Sequence, residues 1–331
     1  MTMTPNPLEG TPRIGMGCWA IGGPLWSGET PLGYSGTDDA ESARTIEAAW
    51  AAGVRVFDTA AVYGAGHSEE LLGQVLGNRA GSVVVSKFGP VFDRDTRQVI
   101  RDDTAPAAIR ASAEASLARL RRDRIDVLLC HVNTLPVAAV PEVFDTLEAI
   151  RGEGKIGSYG WSTDFPERLD AAAGWPGFAA VEYTMNLFFD APSQYAVAER
   201  HGLQQLIRSP LAMGLLAGKF TAGARVAADD IRANTFDWLD YFKDGTVSDA
   251  LIARLDAVRE LLTTGGRTPG QGALGWLLAR SPGLIPVPGA KTVAQAEENA
   301  AAMAFGPLPA EVMDEIEALI DRPPEGPARE R

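Results

Sequence analysis

The 331-residue sequence predicts a single-domain α/β protein, a closed (β/α)8 TIM barrel. Short apolar runs alternate with longer amphipathic ones almost throughout the chain. The short runs are of strand length, and helix-start or helix-stop residues bound several of the long ones. Apolar strands alternating with helices imply parallel pairing with both faces covered. Eight such strands close on themselves, in a fold that typically takes about 250 residues before insertions.

The strands are expected at 13–18, 54–58, 83–87, 126–131, 156–160, 179–183, 204–208 and 284–288. A helix over 39–52 begins among Asp38, Asp39 and Glu41, acids suited to the positive end of a helix, and stops at Gly53. A second, over 105–121, begins after Thr104 and repeats Ile109, Ala113, Leu117 and Leu120 at helical spacing. Helical patterns also cover 142–151, 192–201, 248–263, 270–280, 292–304 and 309–320. The barrel then occupies residues 1–320, with one long insertion at about 219–247, and 321–331 (DRPPEGPARER) reads as a disordered tail. No repeat beyond the β/α alternation and no linker divides the chain.

The formal charge is −13 and the isoelectric point near 4.8. An acidic surface repels phosphate backbones and anionic lipid, so neither nucleic acid nor membrane is expected as a partner. The opening MTMTPNPLEG lacks signal-peptide character and no run approaches transmembrane length, which predicts a cytoplasmic protein. Cys18 and Cys130 read as reduced packing thiols. His67, His131 and His201 have no metal-ligand spacing, so no metal is expected. Oligomeric state is not legible.

In such barrels the site lies at the C-terminal strand ends. There the sequence places Asp58, Lys87 and His131, with Tyr63 in the loop after the second strand. Singly, each has an ordinary reading: a turn carboxylate, a solvated lysine, a structural histidine, a packing tyrosine. Together they converge on one mouth and make a coherent set. A tyrosine near pKa 10 is a poor acid at neutral pH. An ammonium within about 4 Å would favour its phenolate by roughly 4 kcal/mol at an effective dielectric near 20. Asp58 would keep Lys87 charged and aimed, and His131 could hydrogen-bond an incoming carbonyl oxygen. This is a general acid with its tuning groups and no nucleophile of its own.

FDTAAVYG, VVSKFG and LLCHVN make the chain resemble the aldo-keto reductase family along nearly its whole length. The resemblance implies a (β/α)8 barrel with a tetrad of Asp58, Tyr63, Lys87 and His131, and hydride supplied by NADPH. Tyr63 would then protonate the alkoxide of a small aldehyde or ketone. It also implies cofactor contacts. They fall on Gly17, Cys18 and Trp19 at the end of the first strand, Asp58, and Ser162-Thr163, where the family commonly has Ser-Asn. Glu182 and Met185 stand where a glutamine and a stacking tyrosine are common. SPLAMGLLAGKF supplies Ser209, Pro210, Leu211, Gly214 and Lys219 around the pyrophosphate. PGAKTVAQAEEN supplies Gly289, Lys291, Thr292, Gln295, Glu298 and Asn299. Lys291 and the N-terminus of the helix after strand eight would hold the adenosine 2′-phosphate, which predicts NADP(H) over NAD(H). Trp19 and Phe88 are substrate-pocket candidates, joined by Trp26 and the 219–247 insertion, and Val132 replaces the tryptophan common after the histidine. Two other functions compete: an NADPH-binding, redox-sensing regulatory subunit, and a glycosidase using Asp58 and Glu182 as its carboxylate pair.

Overall fold

The computed structural model describes residues 6–326. Its principal sheet has eight strands: β1 (Met16–Gly17), β2 (Val56–Asp58), β3 (Val83–Phe88), β4 (Ile125–Cys130), β5 (Ile156–Ser162), β6 (Phe178–Thr184), β7 (Gln204–Arg208) and β8 (Leu284–Pro286). Each pairs in parallel with the next in chain order. The ring closes where the Gly15 and Gly17 amides donate to the Pro286 and Pro288 carbonyls, with a parallel bridge from Gly17 to Gly289. A Cβ on Gly17 would lie 2.6 Å from the Val287 carbonyl oxygen, so the closure needs glycine there.

Alternation along the strands divides two cores. Val56, Val85, Val127, Leu129, Ala180, Leu206, Ile285 and Val287 fill the barrel, and Leu8 joins them from below. Asn6 fixes that N-terminal plug by donating to the Ala179 carbonyl. The alternate strand residues pack outward against the helices, where Phe57, Phe88, Cys130, Trp161, Tyr183 and Ile207 belong to the larger core.

Helices follow the strands: α1 (Asp39–Ala51), α2 (His67–Val75), α3 (Pro106–Leu120), α4 (Val140–Gly152), α5 (Pro166–Ala172), α6 (Pro192–Arg200), α7 (Asp249–Leu262), α8 (Pro269–Arg280), α9 (Val293–Phe305) and α10 (Ala310–Leu319). Their ends obey local chemistry. Asp38 caps α1 by accepting from the Glu41 amide at 2.7 Å, and Thr268 and Gln271 form a capping box on α8. The sequence reading passed over α2 and α5. Both are short, and α2 carries Gly73, a poor helix former. Packing requires that glycine, because a Cβ there would sit 2.1 Å from the Arg119 carbonyl oxygen on α3.

The sequence reading also passed over a small sheet at the barrel mouth. It pairs Pro90–Asp93 with Gln98–Asp102, and Trp26–Ser27 with Thr30–Pro31. The 219–247 excursion contains a hairpin, Phe242–Lys243 with Thr246–Val247. Asp244 and Gly245 turn it with φ of 46° and 71°, the pair of positive values a tight hairpin turn demands. Of the segment expected as a disordered tail, 321–326 is described and makes defined contacts. Arg322 donates to the Leu187 carbonyl and pairs with Glu317 at 2.6 Å, and Glu325 accepts from the Ser193 amide at 3.2 Å. Residues 327–331 lie outside the described residues. Among the described residues, no helix is long and apolar enough to cross a membrane and no cluster of three metal-ligating side chains occurs.

Candidate active site

A cavity of about 550 Å³ opens at the C-terminal ends of the strands, and Asp58, Tyr63 and His131 form part of its floor. Asp58 ends β2, where its carbonyl accepts from the Cys18 amide at 2.8 Å. The chain then makes a compact loop, with the Tyr63 amide donating to the Ala60 carbonyl, and this swings the phenol back over the strand ends. Gly64 permits the turn: φ is +60°, and a Cβ would lie 1.8 Å from the Gly22 carbonyl oxygen. The indole of Trp19 stacks on Tyr63 at 5.8 Å and 18°, and the His131 ring meets its edge at 5.8 Å.

Lys87 stands inside the barrel, 1% exposed. Its ammonium donates to Asp58 Oδ1 at 2.6 Å, to the Thr59 carbonyl at 3.0 Å and to Tyr63 Oη at 3.4 Å. The four residues proposed from sequence are thus brought together. Their electrostatic balance differs from the expected one. Burial pushes the Tyr63 phenol above its ordinary value, Lys87 pulls it down, and Asp58 and Glu182 push it up again, so the phenol is held as a weaker acid. Burial works against the Lys87 ammonium, but Asp58 and Glu182 outweigh it and hold the lysine well above its usual range.

Glu182 takes the second of the two places open to it, turned from the nicotinamide side toward a lysine and an arginine. It lies behind the cavity wall, 1% exposed, with Oε2 3.1 Å from Lys87 Nζ and Oε1 accepting from Ser162 Oγ at 2.9 Å. Burial opposes its ionisation, yet the Lys87 and Arg208 charges bring it below the ordinary carboxylate range. Asp58 goes the other way, raised by burial and by the Glu182 charge against the pull of Lys87. Two carboxyls sharing one ammonium, one of them outside the cavity, cannot flank a glycosidic bond, so the glycosidase reading fails on geometry.

Five further candidates do not line the cavity. Met185, 1% exposed, packs in the outer core, as do Phe88 and Cys18. Phe88 follows Lys87 by one residue, so strand alternation sends it to the helix side. Cys18 directs its thiol to the Met16 carbonyl at 3.5 Å. Thr163 is buried, its hydroxyl donating to Asn133 Oδ1 at 3.0 Å. Thr292 serves as the N-cap of α9 and is not on the wall.

Gly17, Trp19, Ser162, Ser209, Pro210, Leu211, Gly214, Lys219, Gly289, Lys291, Gln295, Glu298 and Asn299 do line the cavity. Around 209–214 the backbone is contorted: Ser209, Ala212, Met213 and Gly214 have φ of 50°, 49°, 53° and 96°. Left-handed residues in such a turn gather amide groups into a concavity suited to an anion. Beside it stand Lys219, Arg232 and Lys291. Burial and the two neighbouring cations lower the Lys219 pKa, and burial also lowers that of Lys291. Arg232 pairs with Asp230 at 2.7 Å and is held above its ordinary range, so the two lysines are the weakened cations, and a cluster of this kind fits an anion. At the start of α9 Glu41 accepts from the Val293 amide at 3.0 Å, and just before the helix Gln295 Oε1 accepts from the Lys291 amide at 2.8 Å, so these two amides are already engaged.

The 219–247 excursion expected at the pocket supplies Arg232 and Trp238, whereas sequence reasoning missed Arg208 and Asn133 on the wall. Arg208 directly precedes the SPLAMG segment and ends β7, a position that could have flagged it. Arg232 and Trp238 belong to the excursion, which bridges the mouth. The Ile231 amide donates to the Gly33 carbonyl at 2.9 Å and Asn234 to Pro31 at 2.7 Å, while Lys291 donates to the Ser35 carbonyl. Trp26 lies in the mouth sheet and not on the cavity wall.

Residues 13–321 match the model of the aldo/keto reductase family. The chain is 32% identical over 296 residues to the uncharacterised oxidoreductase Mb2320 of Mycobacterium bovis, covering 88% of this chain and 84% of that one. It is 31% identical over 225 residues to the aldo-keto reductase YhdN of Bacillus subtilis, covering 66% of this chain and 64% of that protein. The fold is similar to that of the glycerol dehydrogenase AKR11B4 from Gluconobacter oxydans, with a TM-score of 0.77, 30% identity, and 95% and 94% of the two chains covered. The chain is an oxidoreductase and belongs to the aldo/keto reductase family.

Proposed function

We propose that this protein reduces small aldehydes and ketones to alcohols with NADPH, and that Tyr63 is the proton donor. The observation that carries the reading is the contact of Lys87 Nζ with Asp58 and with Tyr63 Oη, on a cavity floor that also presents His131. Bound with its phosphates on the contorted turn and the Lys219, Arg232 and Lys291 cluster, NADPH would supply the hydride. Tyr63 Oη gives its proton to the carbonyl oxygen as negative charge develops there, and the Lys87 ammonium stabilises the phenolate left behind. His131 orients the carbonyl from the side facing Tyr63. Trp19, Leu25, Val62 and Val99 present apolar surface around that point, which favours uncharged substrates over acids.

The test is NADPH oxidation by the purified protein against a panel of small aldehydes and ketones. Turnover that collapses in Tyr63→Phe is the expected result. Tight NADPH binding with no turnover on any member would overturn the enzymatic reading and leave the redox-sensing one.

A further inference from the structure

Five charged side chains alternate in sign across the barrel mouth. Asp58 on β2 lies 2.6 Å from Lys87 on β3, and Lys87 lies 3.1 Å from Glu182 on β6. Glu182 is 3.8 Å from Arg208 on β7, and Arg208 is 2.5 Å from Asp164, just after β5. Arg208 also donates to Thr184 Oγ1 at 2.8 Å. Each cation already has a carboxylate of its own, Asp58 for Lys87 and Asp164 for Arg208. Glu182 is the supernumerary member. It lies behind the cavity wall, out of reach of substrate, and burying a charge is costly unless that charge is paired. Two ion pairs alone would be neutral, whereas with Glu182 ionised the row carries one net negative charge.

We propose that Glu182 is a positioning residue for the proton donor, a second counter-ion that holds the Lys87 charge back from Tyr63 so that the tyrosine remains a phenol until a strong base forms beside it. The inference rests on Tyr63 being the acid, as proposed above. The ammonium has three hydrogens and four oxygens around it. Asp58 at 2.6 Å, Thr59 at 3.0 Å and Glu182 at 3.1 Å are all nearer than Tyr63 at 3.4 Å. The alkoxide produced by hydride transfer is a far stronger base than water, so it can still take the proton. The proton leaves Oη for the alkoxide oxygen, and Lys87 then turns toward the new phenolate.

The groups acting on Tyr63 are Lys87 and Asp58 directly, Glu182 behind Lys87, and the His131 ring at its edge. Arg208 and Asp164 lie beyond Glu182, and Asp102 lines the same cavity. In the alkaline range where phenols ionise, carboxyls are charged even when raised by several units. Replacing Glu182 by glutamine therefore removes one negative charge near Tyr63 while both cations keep a partner.

The experiment is an ultraviolet titration of the full chain, with the Tyr63 phenolate obtained by subtracting the same titration of Tyr63→Phe. It reads ionisation without needing turnover, so it remains decisive even if no carbonyl substrate is found. Tyr63 should ionise at least about one pH unit lower in Glu182→Gln than in wild type, and Glu182→Asp, which keeps the charge, should recover most of the shift. Coincident titrations of wild type and Glu182→Gln, in range or only with alkaline unfolding, overturn the proposal. If Glu182→Gln does not fold, Asp58→Asn decides. With Glu182 holding Lys87 charged, Tyr63 should again ionise about one unit lower. Without that hold, the buried lysine loses its proton and Tyr63 does not move down.

Discussion

At the floor of the cavity, Asp58, Lys87 and His131 end or follow consecutive barrel strands and Tyr63 is five residues from one of them. At the far end, Lys219, Arg232 and Lys291 come from the turn after β7, from the excursion and from the approach to α9. The floor is held by backbone pairing. Register fixes Asp58 opposite Val85 and Lys87 opposite Leu129, so its geometry follows from the sheet. The far end is held by loop-to-loop hydrogen bonds, those of Ile231 with Gly33 and Asn234 with Pro31. Asp58, Tyr63 and Lys87 on the floor are buried, and its charges are mutually paired. The other end is more open, and there Arg232 and Lys291 lower the Lys219 pKa. One region suits a reaction needing fixed distances, the other the capture and release of an anionic ligand.

The contrast predicts how each region breaks. Tyr63→Phe should lower carbonyl reduction by about 10²–10⁴ and leave NADPH binding, followed by fluorescence quenching, close to wild type. A variant keeping a tenth of the activity would remove Tyr63 from the role of acid. Lys291→Ala should do the reverse, weakening NADPH by about 1.5–3 kcal/mol with NADH nearly unaffected and turnover at saturation preserved. Equal losses for both cofactors would place Lys291 away from the 2′-phosphate.

Gly64→Ala tests the backbone support of the floor. A left-handed φ and a Cβ 1.8 Å from the Gly22 carbonyl should together cost about 1–3 kcal/mol of stability in urea melts. Gly81→Ala is the reference, since φ there is +83° but the nearest atom is 3.9 Å away, so only conformational strain applies. Equal losses in the two variants would mean the approach of Gly22 contributes nothing. The smallest effect is a pH dependence. Lys219 and Lys291 are lowered from their ordinary value, so they lose their protons earlier as pH rises. NADPH affinity should fall several-fold between about pH 8 and pH 10, before an ordinary lysine would titrate. NADH should show less of this decline, and parallel curves would show that the cluster does not hold the extra phosphate.

Motif and spacing made the floor legible, because residues close in sequence or at consecutive strand ends must meet once the barrel closes. Phe88 was misplaced for a reason of the same kind, since adjacent strand residues face opposite sides and Lys87 had already taken the inner one. Glu182 and Met185 stayed open between cofactor and core because family position indicates which strand end a residue occupies, and not which partner its side chain finds. Glu182 found Lys87 across the barrel, 95 residues away in the chain, by a contact that no local pattern encodes.

The eightfold alternation of apolar strands and capped helices by itself determined a barrel, and with it the convergence of Asp58, Tyr63, Lys87 and His131. Periodicity and hydrogen-bond satisfaction are local constraints, and eight repeats leave one compact way to meet them. Tertiary structure alone decided the direction in which the Tyr63 pKa moves, the alternating row from Asp58 to Asp164, the occupation of the α9 amide by Glu41, and the bridging of the mouth by the excursion. Those depend on distances of a few ångströms between segments far apart in sequence. At that range burial and Coulomb interactions are strong enough to reverse the pKa shift that a single lysine–tyrosine pair would produce.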